Sequence, residues 1–404
     1  MQKNLWKDTF RPDAKVGRFL TVLALSGVSA SLYRGIQDNY LAEIVHISAF
    51  ERGVVEFFRE TPGLLVVLIL ALMYRFTESR VFKIGTALML AGLTGFLLSG
   101  TGKIIVVAFM VLYSLGEHII MPVKTTLTLD LTHKDKAGSA LGIIGAIGQA
   151  GSITGFIIVM ILFAAFSRLG FERGDTAQFK IVFAVAVALM LAATLVALAL
   201  RENTLRGNRR RFYFARKFFT YYMLEVFYGA RKQIFFTFAP YVLILQYGAD
   251  ASLISLLMAI CAGCGMVCSP IVGKIIDKLG FKFIMVTDTL LLVVVCLLYG
   301  FAHRIFPMHI AFIVVCVNYV LDSIVSLASM ATNVYVQSLA SGQEELTATL
   351  STGVSVNHVI SILIALLGGA IWEAVGIETL FTLSAVLGLI NSLYAATIKV
   401  RKEK

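Results

Sequence analysis

Charge is what this 404-residue chain has little of. Only 15% of its residues are Asp, Glu, Lys or Arg, whereas 58% are hydrophobic. A soluble protein of this length needs far more polar surface to cover its core. The composition and the strongly positive mean hydropathy therefore exclude a water-soluble globule and imply an integral membrane protein. Strict apolar–polar alternation is missing as well, which excludes a transmembrane β-barrel. Cysteine is sparse: the chain has five, all inside apolar runs, so no disulfide framework is indicated. Cys261, Cys264 and Cys268 share one helical face. A soft-metal site is one reading of them; small packing residues beside Gly263 and Gly265 is the reading adopted. No P-loop, no His-Glu-x-x-His helix and no nucleophile elbow is found, so nothing supports an enzyme or a primary pump. Neither a metal nor a cofactor is expected. The first 17 residues are polar and charged, and the apolar run after them is too long for a signal h-region, so no cleavable signal peptide is expected.

What is present is a series of continuous apolar runs. Twelve predicted spans fall at 18–43, 53–74, 81–100, 103–131, 138–166, 178–200, 214–246, 251–272, 282–302, 307–337, 346–370 and 375–399. Each is close to the ~20 residues needed to cross ~30 Å of hydrocarbon. The net charge of +11 follows from topology rather than from a nucleic-acid partner. Of 35 Lys and Arg, six lie outside if the N-terminus is inside (Arg52, Lys103, Arg168, Arg173, Lys180, Arg304). Five more (Arg34, Arg59, Lys124, Arg231, Lys232) sit within spans, which leaves 24 on the cytoplasmic side. That bias matches the positive-inside rule and places both termini in the cytoplasm of a plasma or inner membrane. Once topology is assigned, no aromatic-interleaved basic face remains for nucleic acid.

The most basic stretch divides the chain into an N-terminal six-segment bundle (1–200), a basic cytoplasmic linker (201–213) held near anionic headgroups, and a C-terminal six-segment bundle (214–404). The halves echo each other weakly. Tyr40-Leu41 aligns with Tyr241-Val242, and Ser139-Ala140-Leu141 with Thr347-Ala348-Thr349. On these offsets Arg231 falls one helical turn from the counterpart of Arg34, and Asp322 roughly one turn from that of Glu117. Parallel repeats of this kind imply a solute site near mid-membrane at the repeat interface.

Charge inside a span is costly and is tolerated where it is paired or lines a watery cavity. Arg34 and Asp38 share a face of segment one; they either neutralise each other or serve a solute or a proton. Glu117 and Lys124 form one stripe of segment four, with Pro122 between them. Glu117 lies ~20 Å along its helix, and a bridge from it to Arg34 is compatible with function. Arg231 and Asp322 lie at similar depth in segments seven and ten, either as a structural salt bridge or as part of a solute site. Lys232 points ~100° away from Arg231. Arg231 is the one assigned to the solute, since Arg can fork onto carboxylate or phosphate. His118 is read as a packing or hydrogen-bonding residue, with titration open, and His358 ranks below it. Glu56, Arg59 and Glu60 read as a local ion network at headgroup level, with an outer gate as the sharper alternative. Segment five carries Gly142, Gly145, Gly148, Gly151 and Gly155, a spacing that permits close helix contact.

The loop between segments eight and nine reads Gly273-Lys-Ile-Ile-Asp277-Lys278-Leu-Gly280-Phe-Lys282. It resembles the Gly-x-x-x-Asp-Arg/Lys-x-Gly-x-Arg/Lys loop of the major facilitator superfamily, and the 6+6 arrangement extends the resemblance over essentially the whole chain. In the first half the equivalent Tyr74-Arg75-Phe-Thr-Glu78-Ser-Arg80-Val-Phe-Lys83 keeps charge but lacks both glycines; Asp130 is available there as an acid for Arg75 or Arg80. Segment five also lacks the proline of the antiporter Gly-Pro motif. The resemblance implies an all-α membrane protein of twelve transmembrane helices in two pseudo-symmetric bundles, with helices one, four, seven and ten lining a central cavity. It further implies that Gly273, Asp277, Lys278, Gly280 and Lys282 form a cytoplasmic conformational lock.

The function expected is secondary active transport of a small organic solute, anionic or zwitterionic, coupled to protons, in a protein that works as a monomer among membrane lipids. Arg34, Lys124 and Arg231 would bind the solute, and Asp38, Glu117 or Asp322 would carry the proton. The alternatives are proton-driven efflux of cationic or amphiphilic compounds, and a lipid-handling or receptor protein on the same fold.

Overall fold

The structure, a computed structural model, describes residues 8–133, 136–200 and 214–398. The basic linker at 201–213 lies outside the described residues. Among those described the chain is helical, with no strand beyond an isolated bridge between Phe10 and Thr132. The helices are α1 (Ala14–Asn39), α2 (Ala49–Leu72), α3 (Glu78–Leu98), α4 (Lys103–Asp130), α5 (Ala137–Arg168), α6 (Thr176–Leu198), α7 (Phe219–Tyr247), α8 (Ala251–Leu279) and α9 (Phe281–Ile305). They continue with α10 (Met308–Val325), a 3₁₀ turn (Ser326–Ser329), α11 (Met330–Leu339), α12 (Gln343–Val375) and α13 (Ile377–Ala396). The tenth expected segment thus becomes α10, the 3₁₀ turn and α11.

Twelve spans are expected from the sequence, and among the described residues ten helices are long and apolar enough to cross a membrane. The two outside that set are α2 and α7. Both have the length, 24 and 29 residues. Glu56, Arg59 and Glu60 interrupt the apolar run of α2, and Arg231, Lys232 and Gln233 that of α7. Leu72, Leu98, Ile104 and Leu393 are largely exposed. Apolar exposure on this scale suits hydrocarbon rather than water.

Contacts group the described residues into two units. The first comprises those within Met1–His46, Thr61–Arg209 and Asp250–Ala259; the second, those within Ile47–Glu60, Arg210–Ala249 and Ile260–Lys404. Inside the first unit α1 packs on α5 and α6, and α3 on α4 and α6. Inside the second, α7 packs on α12 and α13, and α9 on α10 and α13. The same pairing order appears in both, which is the repeat only faintly visible in the residues.

Each unit is built around aromatic rings. In the first, Phe96 stacks on Phe183 at 5.3 Å and on Tyr33 at 5.3 Å, with Tyr40 edge-on to Phe183 at 5.0 Å. In the second, Phe235, Tyr299 and Phe381 pack mutually at 4.8–5.3 Å. Tyr40 begins a π-helical turn, Tyr40–Ile44, at the end of α1. This single wide turn is a local irregularity of the kind that recurs at functional sites.

The glycines of α5 divide into two groups. A Cβ at Gly155 would lie 2.7 Å from Ser31 Cβ and the Val28 carbonyl, and one at Gly151 would lie 3.2 Å from the Gly27 backbone. These two positions let α5 lie against α1. At Gly142, Gly145 and Gly148 a Cβ would meet nothing within 4 Å, so close packing is not what those three provide here. Gly248 caps α7 in the left-handed region at φ 67°, where a side chain is strained.

Candidate functional site: intramembrane charge clusters

In the first unit, Arg34 of α1 reaches across to Glu117 of α4 and forms an ion pair. The bridge weighed from the sequence is therefore made. It is not sealed, because the Arg34 side chain remains 49% exposed. Lys124, two turns along α4 and half-buried, acts electrostatically with both Glu117 and Arg34. The trio holds two cations and one carboxylate, and a second carboxylate lies nearby. Asp38, one turn beyond Arg34 on α1, is buried. Beside Glu117, His118 is buried too; its Nδ1 lies 2.9 Å from the Ser114 carbonyl and 3.1 Å from the Ser114 hydroxyl. That is the hydrogen-bonding role expected of it.

In the second unit, Arg231 of α7 donates to Asp322 of α10 at 3.1 Å and to the Ser326 hydroxyl at 3.3 Å, with its guanidinium 5.3 Å from the Tyr228 ring centre. Ser326 begins the 3₁₀ turn, and the turn brings its hydroxyl to the same guanidinium. A second carboxylate, Asp288 of α9, feels the Arg231 charge and accepts a hydrogen bond from Thr289 at 3.3 Å. Arg231 is buried and Lys232 is exposed. The neighbour assigned to the solute is thus the enclosed one, because α7 turns its Arg231 face toward α10.

The ion network around Glu56 is buried within the protein. Glu56 and Arg52 are 0% and 1% exposed. Glu56 accepts from Arg52 at 2.9 Å, from Arg59 at 2.6 and 2.8 Å, and from Gln233 at 3.0 Å. Arg59 also pairs with Glu60, whose other oxygen lies 2.8 Å from His358 Nδ1. Gln233 donates onward to Thr237 at 2.7 Å. The first half of α2 is thereby bonded to α7 and α12, with which residues 47–60 are grouped in the second unit.

Gly280 links α8 to α9 with φ at 82°, and Lys282 donates to the Ile398 carbonyl at 2.8 Å. Asp277 and Lys278 are exposed. A Cβ on Gly273 would meet nothing within 4 Å. Cys261, Cys264 and Cys268 are free thiols around which the described residues gather no set of metal ligands.

Asp288 and Gln233 also belong to these clusters, and Glu225 and Asn357 form a further hydrogen-bonded pair. An inventory of acidic as well as basic residues inside the spans singles out Asp288 and Glu225. Gln233 and Asn357 carry no such signal, because an uncharged amide is unremarkable until its partner is known.

The sequence profile of the Major Facilitator Superfamily matches residues 19–340 and, in an overlapping second match, 221–404. The chain belongs to the major facilitator superfamily. Solved structures share the fold at low sequence identity. A point mutant of the nucleoside transporter NupG superposes with a TM-score of 0.75 at 13% identity, over 96% of this chain and 100% of that one. A POT family transporter in complex with a thioalcohol-conjugated peptide gives 0.75 at 12% identity, over 94% of each chain. A bacterial homologue of the iron transporter ferroportin gives 0.73 at 12%, over 95% of this chain and 99% of that one. No curated protein sequence matches the chain. The solutes of these relatives differ in kind, so what the likeness establishes is a multi-pass transporter of this superfamily.

Proposed function

We propose that this superfamily member is a secondary active transporter of a small organic anion or zwitterion, working by alternating access and coupled to protons. One observation carries the reading: Arg34, paired with Glu117 and acted on by Lys124, keeps a half-exposed guanidinium. Arg34, with Lys124 adding positive field, binds the solute's carboxylate or phosphate. That group competes with Glu117 for the guanidinium. A carboxylate that loses its cation in a poorly solvated place takes up a proton, so solute binding at Arg34 and protonation of Glu117 go together. Arg231 and Asp322 form the corresponding exchangeable pair of the C-terminal half, and Asp38 is a further proton carrier. The 273–282 loop acts as the cytoplasmic lock.

Proton-driven efflux of cations is the competing reading, and one observation favours it. Arg231 serves two carboxylates, Asp322 and Asp288, which leaves that cluster with a surplus negative charge. Uptake of labelled organic anions and of lipophilic cations into proteoliposomes, with and without a pH gradient, separates the two. Anion flux that responds to the gradient supports the proposal. Gradient-driven movement of cations alone overturns it.

A further inference from the structure

Two charged side chains of α7 remain outside the pairings above. Glu225 is half-buried and Lys232 exposed, and among the described residues neither forms an ion pair. Seven residues separate them, close to two helical turns, so they share one face of α7 about 10 Å apart. Gly229 and Phe236 lie on the same face, and Phe236 is half-exposed.

The surroundings of Glu225 are built to hold it. Asn357 of α12 donates to its carboxylate at 3.3 Å. The Asn357 carbonyl oxygen lies 3.5 Å from the Ser361 hydroxyl, which directs the amide NH₂ toward Glu225. This placement depends on two close approaches of α12 to α7. A Cβ on Gly229 would lie 2.9 Å from Asn357 Nδ2 and 2.7 Å from Ile360, and one on Gly353 would collide with the Tyr221 hydroxyl. Gly229 lies one turn beyond Glu225 on α7 and Tyr221 one turn before it, so the two contacts frame the carboxylate on either side. Lys232 acts on Glu225 through space without bonding to it.

An ionised carboxylate inside a membrane span needs a cation. Arg231 is committed to Asp322, and Lys232 stands two turns away. One amide donor leaves most of the acceptor sites of the carboxylate open, and a primary ammonium offers three donors for them. We propose that Glu225, oriented by Asn357, is a subsite for the ammonium group of a solute. A proton and an ammonium group are alternative partners for this carboxylate.

Thermal shifts of the full-length protein in detergent test this with matched probes: 5-aminovalerate against valerate, and dialanine against N-acetyl-dialanine. The amine-bearing member should stabilise wild type at least tenfold more potently than its partner. Glu225→Gln should reduce that preference to within twofold while leaving the response to valerate unchanged. Asn357→Ala, which keeps the charge but frees it, should give an intermediate preference. Equal potency of the paired probes on wild type, or a tenfold preference that survives Glu225→Gln, overturns the inference; an Arg34-dependent valerate shift in the same experiment leaves the anion reading standing. Should Glu225→Gln not melt cooperatively, an undiminished preference in Asn357→Ala overturns the inference instead. No response of wild type to any of the four probes overturns both readings.

Discussion

Glu56 sits where solvent does not reach and accepts from two arginines and a glutamine. Removing the carboxylate takes a counter-ion from the buried Arg52 and from Arg59, and breaking a buried pair from one side costs about 3–5 kcal/mol. Glu56→Ala should therefore lower the melting temperature steeply in detergent, with Glu56→Gln close behind; an unchanged melt would show that the network holds nothing together. Arg231 and Asp322 allow a finer test. Asp322→Ala alone should destabilise by a similar ~3–5 kcal/mol, because it leaves Arg231 enclosed without its main counter-ion. The double change Arg231→Met with Asp322→Leu should recover most of that loss, since apolar replacement of a buried pair is often neutral. If Arg231 also binds solute, the double variant melts like wild type and fails to transport. If it transports normally, the pair is structural. At this scale the sequence shows that charges are present inside spans but not who holds them. Adjacent Arg231 and Lys232 already point ~100° apart on one helix; the packing of α7 against α10 and the 3₁₀ turn shows which of them is enclosed.

At the scale of elements, the apolar runs mark nearly every helix, because continuous hydrophobicity at spanning length has few other physical meanings. The harder features depend on what lies across from a residue. The five-glycine stripe of α5 reads as a single contact surface, yet only Gly151 and Gly155 meet α1. Gly155→Ala should thus cost about 1–3 kcal/mol through overpacking. Gly145→Ala should be neutral or slightly stabilising, because Ala is favoured over Gly in a helix interior by roughly 0.5–1 kcal/mol. Melting curves of the two variants side by side check the contrast, and equal destabilisation would contradict it. The π turn at Tyr40–Ile44 and the break of the tenth segment at Ser326 leave no pattern in hydropathy. Both are local responses to tertiary packing, and the second of them brings Ser326 to Arg231.

For the whole molecule, length, composition and the 273–282 loop already point to a 6+6 transporter, and the recurring order of helix pairs within each unit agrees with it. The solute is less legible, because it depends on small differences of charge between clusters: two cations and two carboxylates around Arg34, against two carboxylates around Arg231. The account's central claim is that the first of these clusters captures an anionic group. Its most direct test is pH-gradient-dependent uptake of labelled organic anions and amino carboxylates by proteoliposomes containing wild type, Arg34→Ala or Lys124→Ala. The account predicts gradient-driven uptake by wild type, at least a tenfold loss in Arg34→Ala and a smaller loss in Lys124→Ala, with melting temperatures preserved. Wild-type rates in a stably folded Arg34→Ala protein would contradict it.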